Sequence, residues 1–162
     1  MDEYYKRLHA DCGKVMSDSL ALEDDGRLYR AHHAIKDFNS WVSVLEPPER
    51  HLLYDAVLSY SRALLALLQG QYASAFIQLR LFLELGLACV YYSAYRVDLH
   101  LFDSGITDLH WATFIDKDRG VFSPNFARAF NEDLLENVED YRGLAERTYR
   151  LCSEYVHGNT QA

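Results

Sequence analysis

The segment from residue 73 to residue 101 constrains the fold most, because it carries apolar side chains on nearly every side of a helix. One face repeats at steps of three and four and comprises Phe76, Leu79, Leu83, Leu87, Val90, Ala94, Val97 and Leu101. A second face comprises Ile77, Leu81, Leu85, Ala88, Tyr92 and Tyr95. A helix that is apolar on most of its circumference is expected to be surrounded by other helices. The pattern therefore predicts the centre of an all-α domain.

The segments on either side of this helix show the single apolar stripe of ordinary packed helices. Residues 27–45 form one such stripe, which the prolines at 47 and 48 end. Glu49 opens the next helix, which closes at Gly70. Because the connections are short, these helices are expected to pack as antiparallel neighbours. We predict a single domain over residues 1–162, an up-and-down helical bundle of five or six helices.

Residues 103–123 lose the helical pattern and contain two glycines among many turn-forming residues. This stretch allows a small hairpin in which Thr113 to Ile115 face Val121 and Phe122. Ser123 and Pro124 then have the residue types of an N-cap and a first helical position.

Composition indicates an intracellular globular protein. The net charge of −8 argues against an extended basic groove for nucleic acid. Three widely spaced cysteines without a Cys-x-x-Cys pair are typical of buried thiols in a reducing compartment. The most apolar run, Leu81 to Tyr95, is short and contains Glu84, so no membrane span is expected. We predict a cytoplasmic protein with no metal and no cofactor, since no spacing of cysteines and histidines matches a known zinc pattern.

The C-terminal helix divides into an apolar line and a polar line. The apolar line, expected to face the core, contains Leu134, Val138, Tyr141, Ala145, Thr148, Cys152 and Tyr155. The polar line contains Glu136, Asp140, Gly143, Arg147, Arg150, Glu154 and His157. Seven residues are close to two turns, which places Arg150 and His157 on one face about 10 Å apart along the axis.

Arginine and histidine together suit phosphate chemistry. A guanidinium can hold a phosphate, and an imidazole can transfer protons near neutral pH. The same residues also suit an ordinary solvated helix face, since Arg150 can pair with Glu146 or Glu154 at a spacing of four. A histidine in the last turn is likewise favoured by the helix dipole.

Two segments carry a resemblance to a known family. The sequence TYRLCSEYVHGN resembles the Arg-x4–6-His motif of the HEPN superfamily, with Arg150 and His157 in the motif positions. The sequence FIQLRLFLELGLACVYYS resembles the long second helix of HEPN-like bacterial proteins, including its Arg80-x3-Glu84 step. The similarity covers roughly residues 49–158, mostly as architecture.

The resemblance implies metal-independent endoribonuclease activity at a cleft formed by two copies of the chain. His157 would transfer a proton at the ribose 2′-hydroxyl, and Arg150 would stabilise the charged transition state. Glu154 would position either residue, and Arg147 would add a phosphate contact. It also implies a homodimer, an RNA substrate and a toxin–antitoxin or antiviral setting with a cognate antitoxin or other protein partner.

A second hypothesis stays open beside the nuclease: a non-catalytic helical module that dimerises or binds a protein partner. The acidic net charge and the apolar Leu151 directly after the arginine favour it. Arg80 and Glu84 are likewise open to two interpretations. They form either a partly buried intrahelical ion pair or a pair that faces the C-terminal helix and orients Arg150 or His157.

Overall fold

The structure is a computed structural model that describes residues 1–22, 25–47 and 49–156. Over these residues the chain is an all-α helical bundle, as the sequence predicts, and contains no strand. The eight α-helices found there, more than the five or six expected, are α1 (Asp2–Ala21), α2 (Arg27–Val44), α3 (Glu49–Leu68), α4 (Tyr72–Ala94), α5 (Arg96–Asp103), α6 (Trp111–Phe114), α7 (Pro124–Phe130) and α8 (Val138–Val156). A 3₁₀ helix at Glu132–Asn137 precedes α8.

Helices α3 and α4 form the centre of the bundle. They pack along their lengths, with α2 packed against α3 and α8 against α4. Ala56 and Ala88 are both 0% exposed, and these small side chains let the two helix backbones approach closely. The buried cluster around them contains Leu52, Leu85, Cys89, Tyr91, Tyr92, Leu99 and Phe114.

The central helix ends earlier than its apolar pattern predicts. The expected helix over 73–101 stops at Ala94, and α5 starts in a new direction after Tyr95, whose φ of −108° and ψ of 74° lie outside the helical region. The break has a tertiary cause, because the new direction buries Leu99 to 2% exposure. It also brings Asp98 within 2.9 Å of the Tyr91 hydroxyl.

The expectation that other helices surround the central helix is wrong in part, because α4 is exposed at more than one place. Ile77 is 47% exposed and Val90 is 42% exposed. Helix α2 packs mainly on α3 and contacts α4 through Phe38 and Phe82, with 5.3 Å between ring centroids, so an apolar groove of about 480 Å³ remains between α2, α3 and α4. The groove is lined by Trp41 of α2 and by Phe82, Leu83, Gly86 and Leu87 of α4.

Within the described ranges, α4 is the one helix long and apolar enough to cross a membrane by length and composition. Only 17% of its most apolar window is buried. This follows from the open groove along α4 and from the partial exposure of many of its apolar side chains.

The hairpin allowed by the sequence at 113–122 is not formed. Thr113 belongs to α6, and Asp116 organises a tight turn by accepting hydrogen bonds from the backbone N–H groups of Asp118 and Arg119 at 2.9 and 2.8 Å. Gly120 closes this turn. A Cβ at that position would lie 2.5 Å from both the backbone nitrogen and oxygen of Asp116.

Two local predictions are confirmed. Ser123 caps α7, because its side chain accepts a hydrogen bond from the backbone N–H of Phe126, and Pro124 occupies the first helical turn. Cys89 and Cys152 are buried free thiols, at 5% and 0% exposure, whereas Cys12 is only partly buried.

Candidate functional site

Helix α8 packs through part of the apolar line that the sequence predicts. Val138, Ala145 and Cys152 of that line are buried as expected, and Arg142 is buried beside them. Tyr141 and Tyr155, both expected in the core line, are instead 44% and 39% exposed. The small side chains at 145 and 152 therefore face α4, and the two tyrosines lie at the border of the packed face.

Arg150 lies on the open surface of α8. Its side chain is 82% exposed, and its Nε atom donates a hydrogen bond to Glu154 Oε1 at 3.0 Å. The predicted partnership with Glu154 is thus formed. Glu146 contacts Arg142 instead, with 3.8 Å between Glu146 Oε1 and Arg142 Nε. His157, the second residue of the predicted motif, lies outside the described residues.

Arg147 is exposed one turn before Arg150. A Cβ at Gly143 would lie 3.2 Å from a guanidinium nitrogen of Arg147, so the arginine side chain folds back over the glycine. Arg147, Arg150 and Glu154 consequently share one solvent-facing side of the helix.

Arg80 and Glu84 occupy a different place, in the interface between α4 and α8. The Arg80 Nε atom donates to Glu84 Oε1 at 3.2 Å, and the two side chains are 31% and 22% exposed. Both also contact Tyr149, since Arg80 Nη2 donates to the tyrosine oxygen at 2.6 Å and the tyrosine hydroxyl donates to Glu84 Oε1 at 2.7 Å. The pair therefore faces the C-terminal helix, but its partner there is Tyr149 rather than Arg150.

Tyr149 is held between a cation and an indole ring. The Arg80 guanidinium carbon lies 4.7 Å from the centroid of its ring, and Trp111 stacks on it with 4.0 Å between centroids and 6° between planes. Burial, reinforced by Glu84, raises the pKa of Tyr149, so the hydroxyl stays a hydrogen-bond donor. This arrangement fixes the rotation of α8 immediately beside Arg150.

The structure thus separates the predicted site residues into two groups. Arg80 and Glu84 stabilise the contact between two helices, whereas Arg150, Glu154 and Arg147 face outward. By holding α8 in place, Arg80 and Glu84 can position the outward-facing residues. The two groups do not share a cleft within one copy of the chain.

Sequence reasoning missed Arg142, the most buried charged residue of α8. It is 8% exposed and pairs with Glu139, while its Nε and Nη1 atoms have no hydrogen-bond partner among the described residues. The available signal was its spacing, because position 142 falls on one helical line with Val138, Ala145 and Cys152.

The outward face of α8 carries a second apolar stripe. Its members follow one another at steps of three, four, three and four and are Tyr141, Leu144, Thr148, Leu151 and Tyr155. Leu144 is 55% exposed and Leu151 is 47% exposed. We call this set the α8 stripe. It borders Arg147 and Arg150 along the helix.

Metal-binding geometry is not found among the described residues, which contain no group of three or more His, Cys, Asp or Glu side chains that could hold an ion. Comparison with family models, with curated proteins and with solved structures yields no match for this chain.

Proposed function

We propose that the chain is a helical association module that pairs with a second copy of itself through the α8 stripe. The observation that carries this proposal is the order of side chains along the stripe, Tyr-Leu-Thr-Leu-Tyr, which is the same in both directions. A two-fold interface requires a surface that is complementary to itself. Two antiparallel copies centred on Thr148 would place Tyr141 opposite the partner's Tyr155, and Leu144 within one residue, about 1.5 Å along the axis, of the partner's Leu151.

Two features of the α8 stripe lower the free-energy cost of burying it in an interface. The Thr148 hydroxyl already donates to the Leu144 carbonyl at 2.9 Å, so covering it leaves no unpaired polar group. The Tyr155 ring is stacked on Phe76 with 3.9 Å between centroids, which limits the entropy lost on association. The stripe extends over about 21 Å of helix, a length that suits a small two-helix contact.

Sedimentation velocity over a concentration series tests this association. We expect a reversible dimer for the parent chain, and we expect Leu144→Glu and Leu151→Glu to be monomeric, because each places two charges in the interface. Leu65→Glu on α3 is the matched control, since Leu65 is 48% exposed and lies on another helix. Val90→Glu charges the apolar groove beside α4 instead.

Two results would contradict the proposal. One is a parent chain that remains monomeric up to the highest soluble concentration. The other is a dimer that Val90→Glu dissociates and the α8 variants leave intact, which would assign the interface to the groove. Circular dichroism of each variant shows whether it is folded.

Metal-independent RNA cleavage is the second candidate function, and one feature favours it. Arg147 and Arg150 are both exposed on one side of α8. Their two guanidinium groups would attract a phosphate backbone, with His157 as the proton-transfer residue. Glu154, bonded to Arg150, would hold its guanidinium in place.

The nuclease hypothesis is tested with RNA in excess chelator. We expect cleavage by the parent chain and its loss in Arg150→Ala and in His157→Ala. Arg7→Ala, an exposed arginine on α1, is the control and should retain cleavage. Intact RNA with a dimeric parent would leave association as the function of the module. Cleavage that survives in both Arg150→Ala and His157→Ala would remove these residues from the chemistry.

A further inference from the structure

A cavity separate from the α8 stripe lies between the end of α4, α5 and α6. It encloses about 210 Å³. Three aromatic residues, Tyr91, Tyr92 and Phe114, line it together with two carboxylates, Asp98 and Asp108. Its volume is below the range of drug-sized sites and suits a molecule of a few heavy atoms.

Among the described residues, Tyr92 presents an unpaired hydroxyl group at this cavity. Tyr92 is 4% exposed, and no described residue makes a hydrogen bond with its hydroxyl. The hydroxyl oxygen itself is not fully buried, so a ligand in the cavity or water can reach it. The adjacent Tyr91 differs, because its hydroxyl donates to Asp98 Oδ2 at 2.9 Å.

The charge at the cavity is negative and only partly neutralised. The nearest cation to Asp98 is Arg119, whose Nη2 atom is 3.9 Å from Asp98 Oδ2. Arg119 is itself 64% exposed and lies over the Tyr95 ring. Asp108 is exposed and forms no ion pair with any described residue. The site therefore offers carboxylate acceptors and aromatic faces, the combination that recognises organic cations.

We propose that this cavity binds a small primary ammonium cation. An ammonium group has three N–H donors, which match the two carboxylates and the Tyr92 hydroxyl oxygen, and its alkyl part would lie against the aromatic rings. A divalent metal fits less well, because such ions take six or more oxygen ligands and the described residues hold no cluster of three or more ligating side chains. An anion would be repelled by both carboxylates. This site is independent of the association proposed for α8.

The test is an NMR titration of the full chain with propylammonium chloride at low ionic strength. We expect saturable shifts of the Phe114 and Tyr92 ring signals, and no such shifts with 1-propanol, the neutral analogue. Asp98→Asn and Asp108→Asn should each weaken binding about three- to tenfold, because each removes one ionic partner. Tyr92→Phe should also weaken binding, since it removes the third acceptor.

The controls separate this site from general charge effects. Asp140→Asn on α8 removes one negative charge away from the cavity and should leave the affinity unchanged. Asparagine at position 98 can still accept the Tyr91 hydrogen bond, and position 108 is an exposed loop residue, so both variants are expected to fold. Equal binding of 1-propanol, unchanged affinity in both asparagine variants, or displacement of propylammonium by magnesium chloride at equal ionic strength would overturn the proposal.

Discussion

The Tyr149 hydroxyl donates a hydrogen bond to Glu84 Oε1 over 2.7 Å and thereby connects α8 to the central helix α4. The contact is partly buried, and Arg80 supports it from the second side by donating to the tyrosine oxygen. A charged acceptor makes this bond stronger than one between neutral groups. The position of the outward face of α8, with Arg150 and the α8 stripe, depends on it.

Tyr149→Phe is expected to lower the free energy of unfolding by about 1–2 kcal/mol. The variant keeps the stacking on Trp111 but leaves Arg80 and Glu84 without their common partner. Urea denaturation followed by circular dichroism measures the change. Tyr54→Phe is the control, since Tyr54 is 56% exposed and its hydroxyl should contribute little. An equal effect of the two substitutions would show that the contact with Glu84 does not stabilise the bundle.

Gly120→Ala is expected to destabilise the chain by about 1–3 kcal/mol, the range of steric overpacking. The added methyl group would lie 2.5 Å from backbone atoms of Asp116, which cannot move without opening the turn after α6. Gly86→Ala is instead expected to raise the free energy of unfolding by about 0.5–1 kcal/mol. Gly86 lies in the middle of α4, and nothing lies within 4 Å of the added methyl group. Thermal denaturation of both variants distinguishes the two cases. Stability unchanged by Gly120→Ala would mean that the turn is not held in this form.

Ser123→Ala is expected to cost about 1 kcal/mol, because it removes the N-cap of α7 and leaves the backbone N–H of Phe126 without its partner. Ser123 is 0% exposed, so water cannot replace the lost acceptor directly. Ser93→Ala is the control, since the Ser93 hydroxyl is exposed and only donates to the Val90 carbonyl of the same helix. Chemical denaturation should show a loss for the first variant alone, and equal losses would argue against the cap.

Stability is expected to fall above about pH 9. Burial raises the pKa of Cys89 from 9.0 to about 11, and burial together with Asp98 raises the pKa of Tyr91 from 10.0 to about 12. In this window the unfolded chain releases these protons before the folded chain does, which favours unfolding as the pH rises. Urea midpoints measured from pH 8 to pH 11 should therefore decrease, and less steeply in Tyr91→Phe. A midpoint that stays level over this range would contradict the assignment.

Local patterns were sufficient for the fold class and for several helix bounds. Residues 27–45 and the helix opening at Glu49 were predicted within a residue or two, because prolines and a glycine mark their ends and each helix has one apolar stripe. The Ser123 cap was likewise predictable, since a cap depends on residues only three positions apart. Such features are decided by contacts between neighbours in the chain.

The end of the central helix and the buried face of α8 were decided by tertiary contacts. No proline or glycine marks the break at Tyr95, which serves the burial of Leu99. For α8 the sequence predicted one apolar line, which contains Val138, Ala145 and Cys152 together with Tyr141 and Tyr155.

Within that line, the tertiary structure buries Val138, Ala145 and Cys152 and leaves Tyr141 and Tyr155 exposed, because the small side chains of Ala145 and Cys152 allow close packing against α4 while the tyrosines would hold the helices apart. The sequence by itself therefore determined that Arg150 lies away from the apolar line of its helix. Only packing determined which residues of that line stay exposed, since the volume of a side chain matters where two helices meet and does not alter the spacing of residues along one helix.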